Sequence, residues 1–143
     1  MDILVAEFRG LFLGEGSVLI TRKRLSGNGG WTYSPALTMD LAESEKETLE
    51  ALVELIGGSL GGPYRNTRSE NFRWRWRVDG FTRTPPLAKL LLSDARLPHP
   101  KLEQLQLLLD FCDYRRTLPR THLGKEAKDQ LQLYFEEMKA LRC

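Results

Sequence analysis

Apolar residues recur along this chain with two periods, and the switches between them divide it into elements. From Asp2 to Gly14 the positions Leu4, Val5, Phe8, Leu11 and Phe12 share one side of a helix. At Ser17 the pattern changes to alternation. Through Arg24, Val18 and Ile20 face one way while Ser17, Leu19, Thr21 and Lys23 face the other, which predicts a half-buried strand. Ser26-Gly27-Asn28-Gly29-Gly30 is a flexible connection. Trp31 to Asp40 resumes the alternation, with Trp31, Tyr33, Leu37 and Met39 on one face and Thr32, Ser34 and Thr38 on the other.

Helical spacing returns after this hairpin. Ser44 and Glu47 make a capping box that opens a helix running to Ile56 and stopping at Gly57-Gly58. Tyr64–Arg68 and Asn71–Asp79 predict a second hairpin about a polar turn at Ser69-Glu70. Pro85-Pro86 precedes a short helix over Leu87–Ser93, and helices over Lys101–Arg115 and Lys125–Arg142 follow. The order αββ-αββ-αα is that of an α+β fold, two helix–hairpin units followed by C-terminal helices.

Helix 1 carries a second pattern besides its apolar face. Ala6, Gly10 and Gly14 recur every four positions and form a stripe nearly free of side chains. Such a stripe lets another helix approach backbone to backbone, and no second copy of it occurs in the chain. Its partner must come from a second chain, and a two-fold homodimer is the economical answer. Glu15 ends this helix, where the dipole is negative and a carboxylate needs an offsetting cation. Two such acids near one axis suggest a metal site.

Charge separates along the chain although the net value is only +2. Residues 40–54 carry Asp40, Glu43, Glu45, Glu47, Glu50 and Glu54 against Lys46 alone, whereas residues 17–39 carry Arg22, Lys23 and Arg24 and no acid. Phe72-Arg73-Trp74-Arg75-Trp76-Arg77-Val78 puts aromatic and apolar residues on one face of a strand and Arg73, Arg75 and Arg77 on the other. Three side-by-side arginines without an acidic cross-strand partner repel one another unless a counter-ion binds. With Leu19, Thr21, Lys23, Thr32, Ser34 and Thr38 of the first hairpin and Arg65 and Thr67 of the second, they make a polar outer face suited to the major groove of DNA.

Composition narrows the classes further. With 143 residues, 41% apolar and 28% charged, the chain fits one domain over 1–143, its core at about 3–115 and a helical extension at about 116–143. No apolar run is long enough to span a membrane, and no export signal opens the chain. Cys112 and Cys143 form no disulfide or metal framework, which favours a reducing intracellular setting, the cytoplasm or an organelle. His99 and His122 read as loop residues, Cys112 as core, and the last helix as packing.

Phe8-Arg9-Gly10-Leu11-Phe12-Leu13-Gly14-Glu15-Gly16-Ser17-Val18 resembles the LAGLIDADG motif in its "LAGFxDGEGSF" form, and the following elements come at the spacing of single-motif LAGLIDADG homing endonucleases. The resemblance covers about residues 3–115. It implies an αββαββα fold with an antiparallel sheet saddle over DNA and motif helices packed at the two-fold of a homodimer. Gly10 and Gly14 would then be helix-contact glycines, Glu15 a metal-binding acid beside the Gly14 carbonyl, and Lys101 a basic residue at the edge of the active site. The implied reaction is Mg²⁺-dependent hydrolysis of both strands of a near-palindromic duplex across the minor groove, with Mn²⁺ or Ca²⁺ substituting for binding. Neither a membrane nor a small-molecule substrate is expected. The chain departs from the motif at Leu13 and Arg9, and Leu41 falls about where many members carry a polar water-positioning residue. Other readings are a cleavage-deficient LAGLIDADG-like DNA-binding protein, an intron-RNA maturase, or an α+β protein that binds no nucleic acid.

Overall fold

The structure, a computed structural model, describes residues 3–25, 27, 30–65, 71–93 and 95–142. Its elements are α1 (Ile3–Glu15), β1 (Gly16–Arg24), β2 (Trp31–Ala42), a 3-10 turn (Glu43–Glu45), α2 (Lys46–Leu55), β3 (Ser59–Arg65), β4 (Phe72–Asp79), α3 (Thr84–Leu92), α4 (Pro100–Arg116) and α5 (Lys125–Arg142). The strands form one antiparallel sheet in the order β1-β2-β4-β3. The two helix–hairpin units read from the periodicity are present, each strand pair entered from a helix. The chain divides into two compact units, Met1–Ser17 with Leu37–Asp79, and Val18–Ala36 with Gly80–Cys143.

The first unit is built around Trp76. Strand alternation sends this indole to the apolar face of β4, where it is fully buried with Val78. Phe8 of α1 meets it edge-on at 5.6 Å between ring centroids, and Phe12 lies one turn further along the same buried side. Leu37, Met39 and Leu41 of β2 and Leu49 and Leu52 of α2 complete this core. The Trp76 Nε1 donates to the Gly57 carbonyl at 2.8 Å, so the end of α2 satisfies its one polar atom. Gly58 has to be glycine twice over. Its φ is +98°, and a Cβ there would come within 2.7 Å of Trp76 Nε1 and 2.9 Å of the Arg77 carbonyl.

Three sequence expectations shift here. The capping box at Ser44 does not form, because Ser44 lies inside the 3-10 turn and Glu45 takes the N-cap position without a side-chain bond. β3 begins at Ser59 rather than Tyr64, since Ser59, Leu60 and Gly61 pair with Arg77, Trp76 and Arg75 of β4. A Gly- and Pro-rich stretch thus becomes strand because its partner offers a ladder, with a register shift between Gly61 and Tyr64. The remainder of the Tyr64–Arg68 strand and the turn at Ser69-Glu70 lie outside the described residues, as does most of the Ser26–Gly30 connection.

In the second unit, Val18 and Ile20 of β1 and Tyr33 of β2 are buried with Ala88, Leu91, Leu105, Leu108, Phe111, Leu131 and Met138 of the three C-terminal helices. α4 packs against α3 and α5. Phe111 meets Phe81 at 5.6 Å and Tyr134 at 5.9 Å, and Tyr33 meets Phe135 at 5.8 Å while its hydroxyl donates to Gln132. Gln104, buried on α4, donates to the Leu141 carbonyl at 3.2 Å. These contacts make α5 an integral part of its unit.

Candidate functional site

The side of α1 opposite Phe8 and Phe12 is open. Ala6, Gly10 and Gly14 are all exposed, and a Cβ built on Gly10 or Gly14 would meet nothing within 4 Å. Gly16 differs: a Cβ there would fall 2.5 Å from the Phe12 ring, so this chain's own packing demands glycine at that position. The motif glycines therefore serve two ends. Gly16 closes the helix–strand junction over Phe12, whereas nothing inside the chain accounts for the bareness of Gly10 and Gly14.

Glu15 is the last residue of α1 and is exposed, with no basic residue in the helix's last turn. Its negative charge sits against the negative end of the dipole. Lys101 presents the mirror image: it follows Pro100 in the first turn of α4, at the positive end of that helix, and is half-buried. The cap of α4 is His99, whose Nδ1 accepts from the Lys101 backbone N–H at 3.1 Å. This assigns His99, read as a loop residue, a definite local role. Glu15 and Lys101 belong to different compact units.

Two of the three arginines of β4 are paired with acids, and the third bonds a backbone carbonyl. Arg75 donates from Nε to Asp40 Oδ1 at 2.8 Å and from Nη2 to Oδ2 at 3.0 Å, a two-pronged pair across β2 and β4. Arg73 donates from Nη2 to the Asp40 backbone carbonyl at 3.0 Å, and Arg77 pairs with Asp79 at 3.0 Å. Hydrogen bonding to Asp40 raises the Arg75 pKa above its ordinary value against the opposing effect of burial. The Tyr64 ring lies 5.2 Å from the same guanidinium. The expectation of three arginines without an acidic cross-strand partner is thereby corrected at Arg75, whereas Arg77 pairs within its own strand and Arg73 bonds a carbonyl. Asp40 counts towards the acidic charge of segment 40–54, but it continues the β2 alternation of Thr32, Ser34 and Thr38 and lies on the polar face.

The other face residues divide by environment. Lys23 and Thr32 are exposed, Leu19 and Ser34 half-buried, and the Thr21 hydroxyl donates to the Ser34 carbonyl at 3.2 Å across the first hairpin. Arg22, next to Lys23, takes the opposite face and lies between Trp31 (4.3 Å) and Phe135 (4.6 Å). Arg65 is exposed. Thr38 is only 7% exposed, so it is not an open contact position in this chain. Leu41 is buried among the apolar residues of the first unit, so its side chain belongs to the core and not to the polar face. Thr67 lies outside the described residues.

Among the described residues, no set of three or more His, Cys, Asp or Glu side chains comes together to hold a metal ion, and no helix is long and apolar enough to cross a membrane. Burial pushes the Cys112 thiol up to about 12, which keeps it inert. A cavity of about 540 Å³ in the second unit, lined by Trp31, Tyr33, Arg115, His122 and Lys128 among others, includes Thr32 from the polar face.

No sequence-family model matches the chain, and no curated protein sequence matches it. Solved structures do. The homing endonuclease I-CvuI, crystallised with its target in the presence of Ca, aligns with a TM-score of 0.77 over 97% of this chain and 82% of that one, at 17% identity. The archaeal intron-encoded homing endonuclease I-Vdi141I, complexed with DNA, aligns at 0.74 over 98% and 84%, with 19% identity. The LAGLIDADG homing endonuclease I-LtrWI, bound to target DNA, aligns at 0.73 over 93% of this chain and 43% of that one, with 15% identity.

The fold is that of the LAGLIDADG homing endonucleases. Within this fold the motif read from Phe8 to Val18 spans α1 and the start of β1, and Glu15 sits at the junction between them.

Proposed function

We propose that this chain is a sequence-specific double-strand DNA endonuclease that works as a two-fold homodimer with a divalent metal held at Glu15. The observation that carries the reading is the outer side of α1. Ala6, Gly10 and Gly14 are bare towards open space, and the stripe ends at an exposed carboxylate. A second copy of α1 packed on this stripe brings two Glu15 residues to one axis, where their mutual repulsion calls for a cation. The DNA carried by I-CvuI and I-Vdi141I supports DNA as the ligand of a sheet that displays Lys23, Arg73 and Arg75.

The donor set fits a hard cation in part. Each chain offers the Glu15 carboxylate and the neighbouring Gly14 carbonyl, oxygen ligands of the kind Mg²⁺ prefers. One chain alone offers too few, so the second copy has to supply the rest. When bound, the metal supplies charge neutralisation and lowers the pKa of water. Glu15 holds it at the end of α1. Lys101, in the first turn of α4, stabilises charge developing on the scissile phosphate. The β1–β2 and β3–β4 hairpins hold the duplex and select its sequence.

The test is cleavage of a randomised duplex pool in Mg²⁺ by the unaltered chain and by Glu15→Gln. Double-strand cuts are expected from the former, and binding without cuts from the latter. Equal cutting by both would remove Glu15 from the chemistry. Tight binding by the unaltered chain with no cuts in Mg²⁺ or Mn²⁺ would favour the cleavage-deficient DNA-binding protein or intron-RNA maturase instead.

A further inference from the structure

The Asp40–Arg75 pair leaves one edge of the guanidinium unused. Arginine has five N–H donors. Asp40 takes the one on Nε and one on Nη2, at 2.8 and 3.0 Å, which is the flank of the fork nearest the chain. The two N–H groups of Nη1 and the second on Nη2 form the outer edge. The side chains remain 43% and 38% exposed, so that edge is not walled off. Arg73 braces the same point by its bond to the Asp40 carbonyl, and Tyr64 covers the guanidinium at 5.2 Å.

Two ligands compete for an arginine on a DNA-facing strand, and charge decides between them. A lone guanidinium grips any phosphate, independently of sequence. A guanidinium already neutralised by a carboxylate gains much less from a phosphate, and the carboxylate repels it. What remains is direction. The outer N–H pair matches the O6 and N7 acceptors of guanine in the major groove, and a carboxylate at its side can accept from the N4 amino group of cytosine. Because Asp40 and its neighbours fix the fork in advance, little rotamer freedom is lost when the base is met.

Resting on the DNA-binding reading above, we propose that Asp40 and Arg75 act as one reading unit for a guanine·cytosine pair, Arg75 taking the guanine and Asp40 fixing the edge it presents. Asp40 is then a specificity-determining residue, and its removal trades discrimination for indiscriminate affinity.

The experiment is selection of bound duplexes from a randomised pool by the intact protein in Ca²⁺, repeated with Asp40→Ala, Asp40→Asn and Arg75→Lys. The unaltered chain is expected to fix a G at one position in each half-site. Each variant is expected to relax that position by about 5- to 150-fold and to leave the other positions fixed. Binding of Asp40→Ala to random duplex is expected to be as tight or tighter, with a salt slope steeper by about 1 per chain because a cation has been released to phosphate. That retained affinity also reports a folded variant, and Asp40→Asn, of the same size, repeats the test without leaving a void. If Asp40→Ala and Arg75→Lys select the same G as the unaltered chain, the reading unit is overturned. If the unaltered chain enriches no sequence, sequence-specific DNA binding itself fails, a different result from the first.

Discussion

Glu15 and Arg75 are both charged, both solvent-reachable and both set by regular secondary structure, yet the chain treats them in opposite ways. Arg75 is held by two hydrogen bonds to Asp40, and its strand neighbours Arg73 and Arg77 are each tied to an acceptor as well. Glu15 stands exposed at the unfavourable end of its helix dipole, without a basic residue in the last turn. The difference separates two kinds of site. A charge compensated inside the chain is oriented and cheap to keep, so it can discriminate. A charge left in an unfavourable field costs stability until something outside the chain relieves it, which suits chemistry.

The strongest way to break this comparison is to neutralise the uncompensated charge. Glu15→Gln is expected to lower cleavage by about a thousandfold or more, in the range of single catalytic knock-outs. DNA affinity should stay level or rise, since two repelling carboxylates have been removed from the middle of the complex. Cleavage rates and gel-shift affinities on one duplex check both halves. A parallel fall in affinity and rate would make Glu15 a binding residue. Lys101→Ala comes next, with an expected loss of about a hundredfold in the chemical step in single-turnover assays and little change in affinity.

Gly10→Leu sharpens the same contrast on the neutral part of α1. Inside the chain a Cβ at this position meets nothing within 4 Å, and leucine is the better helix former. The isolated chain should therefore gain about 0.5–1 kcal/mol in a urea melt. Between chains it blocks the stripe, and sedimentation should find a monomer. Gly16→Ala is the control of opposite sign, because its Cβ would strike the Phe12 ring at 2.5 Å and should destabilise the chain itself. A Gly10→Leu chain that still dimerises would place the interface elsewhere.

These features were not equally legible in the sequence. The stripe, the terminal acid and the aromatic–arginine alternation follow from local periods of four and two, and they survive folding because nothing distant needs to be known. Asp40 closes the Trp31–Asp40 alternation, but its bond to Arg75 depends on β2 lying beside β4, which no local pattern announces. β3 starts earlier than local composition indicates because Ser59-Leu60-Gly61 has little strand propensity of its own and pairs only because β4 lies beside it. Ser44 fails as a cap by the register of one short 3-10 turn. In each case pairing or register, set by another part of the chain, decided between local alternatives.

The smallest expected effect tests whether compensation matters for ordinary phosphate contacts as well. Lys23 is an exposed cation on β1, and among the described residues no ion pair reaches it; Arg77 is bonded to Asp79 at 3.0 Å. Counter-ion release depends on how much charge a residue brings to a phosphate, so Lys23→Gln should reduce the slope of log affinity against log salt by about 1 per chain, uniformly across sequences. Arg77→Gln should reduce it by less, because Asp79 already screens that guanidinium and is itself left unpaired by the change. The two variants carry the same formal charge loss, so net charge cannot account for a difference between them. Equal slopes would mean that a carboxylate at 3.0 Å does not spare an arginine for reading bases. The distinction drawn between Arg75 and Glu15 would then have to rest on helix-end electrostatics alone.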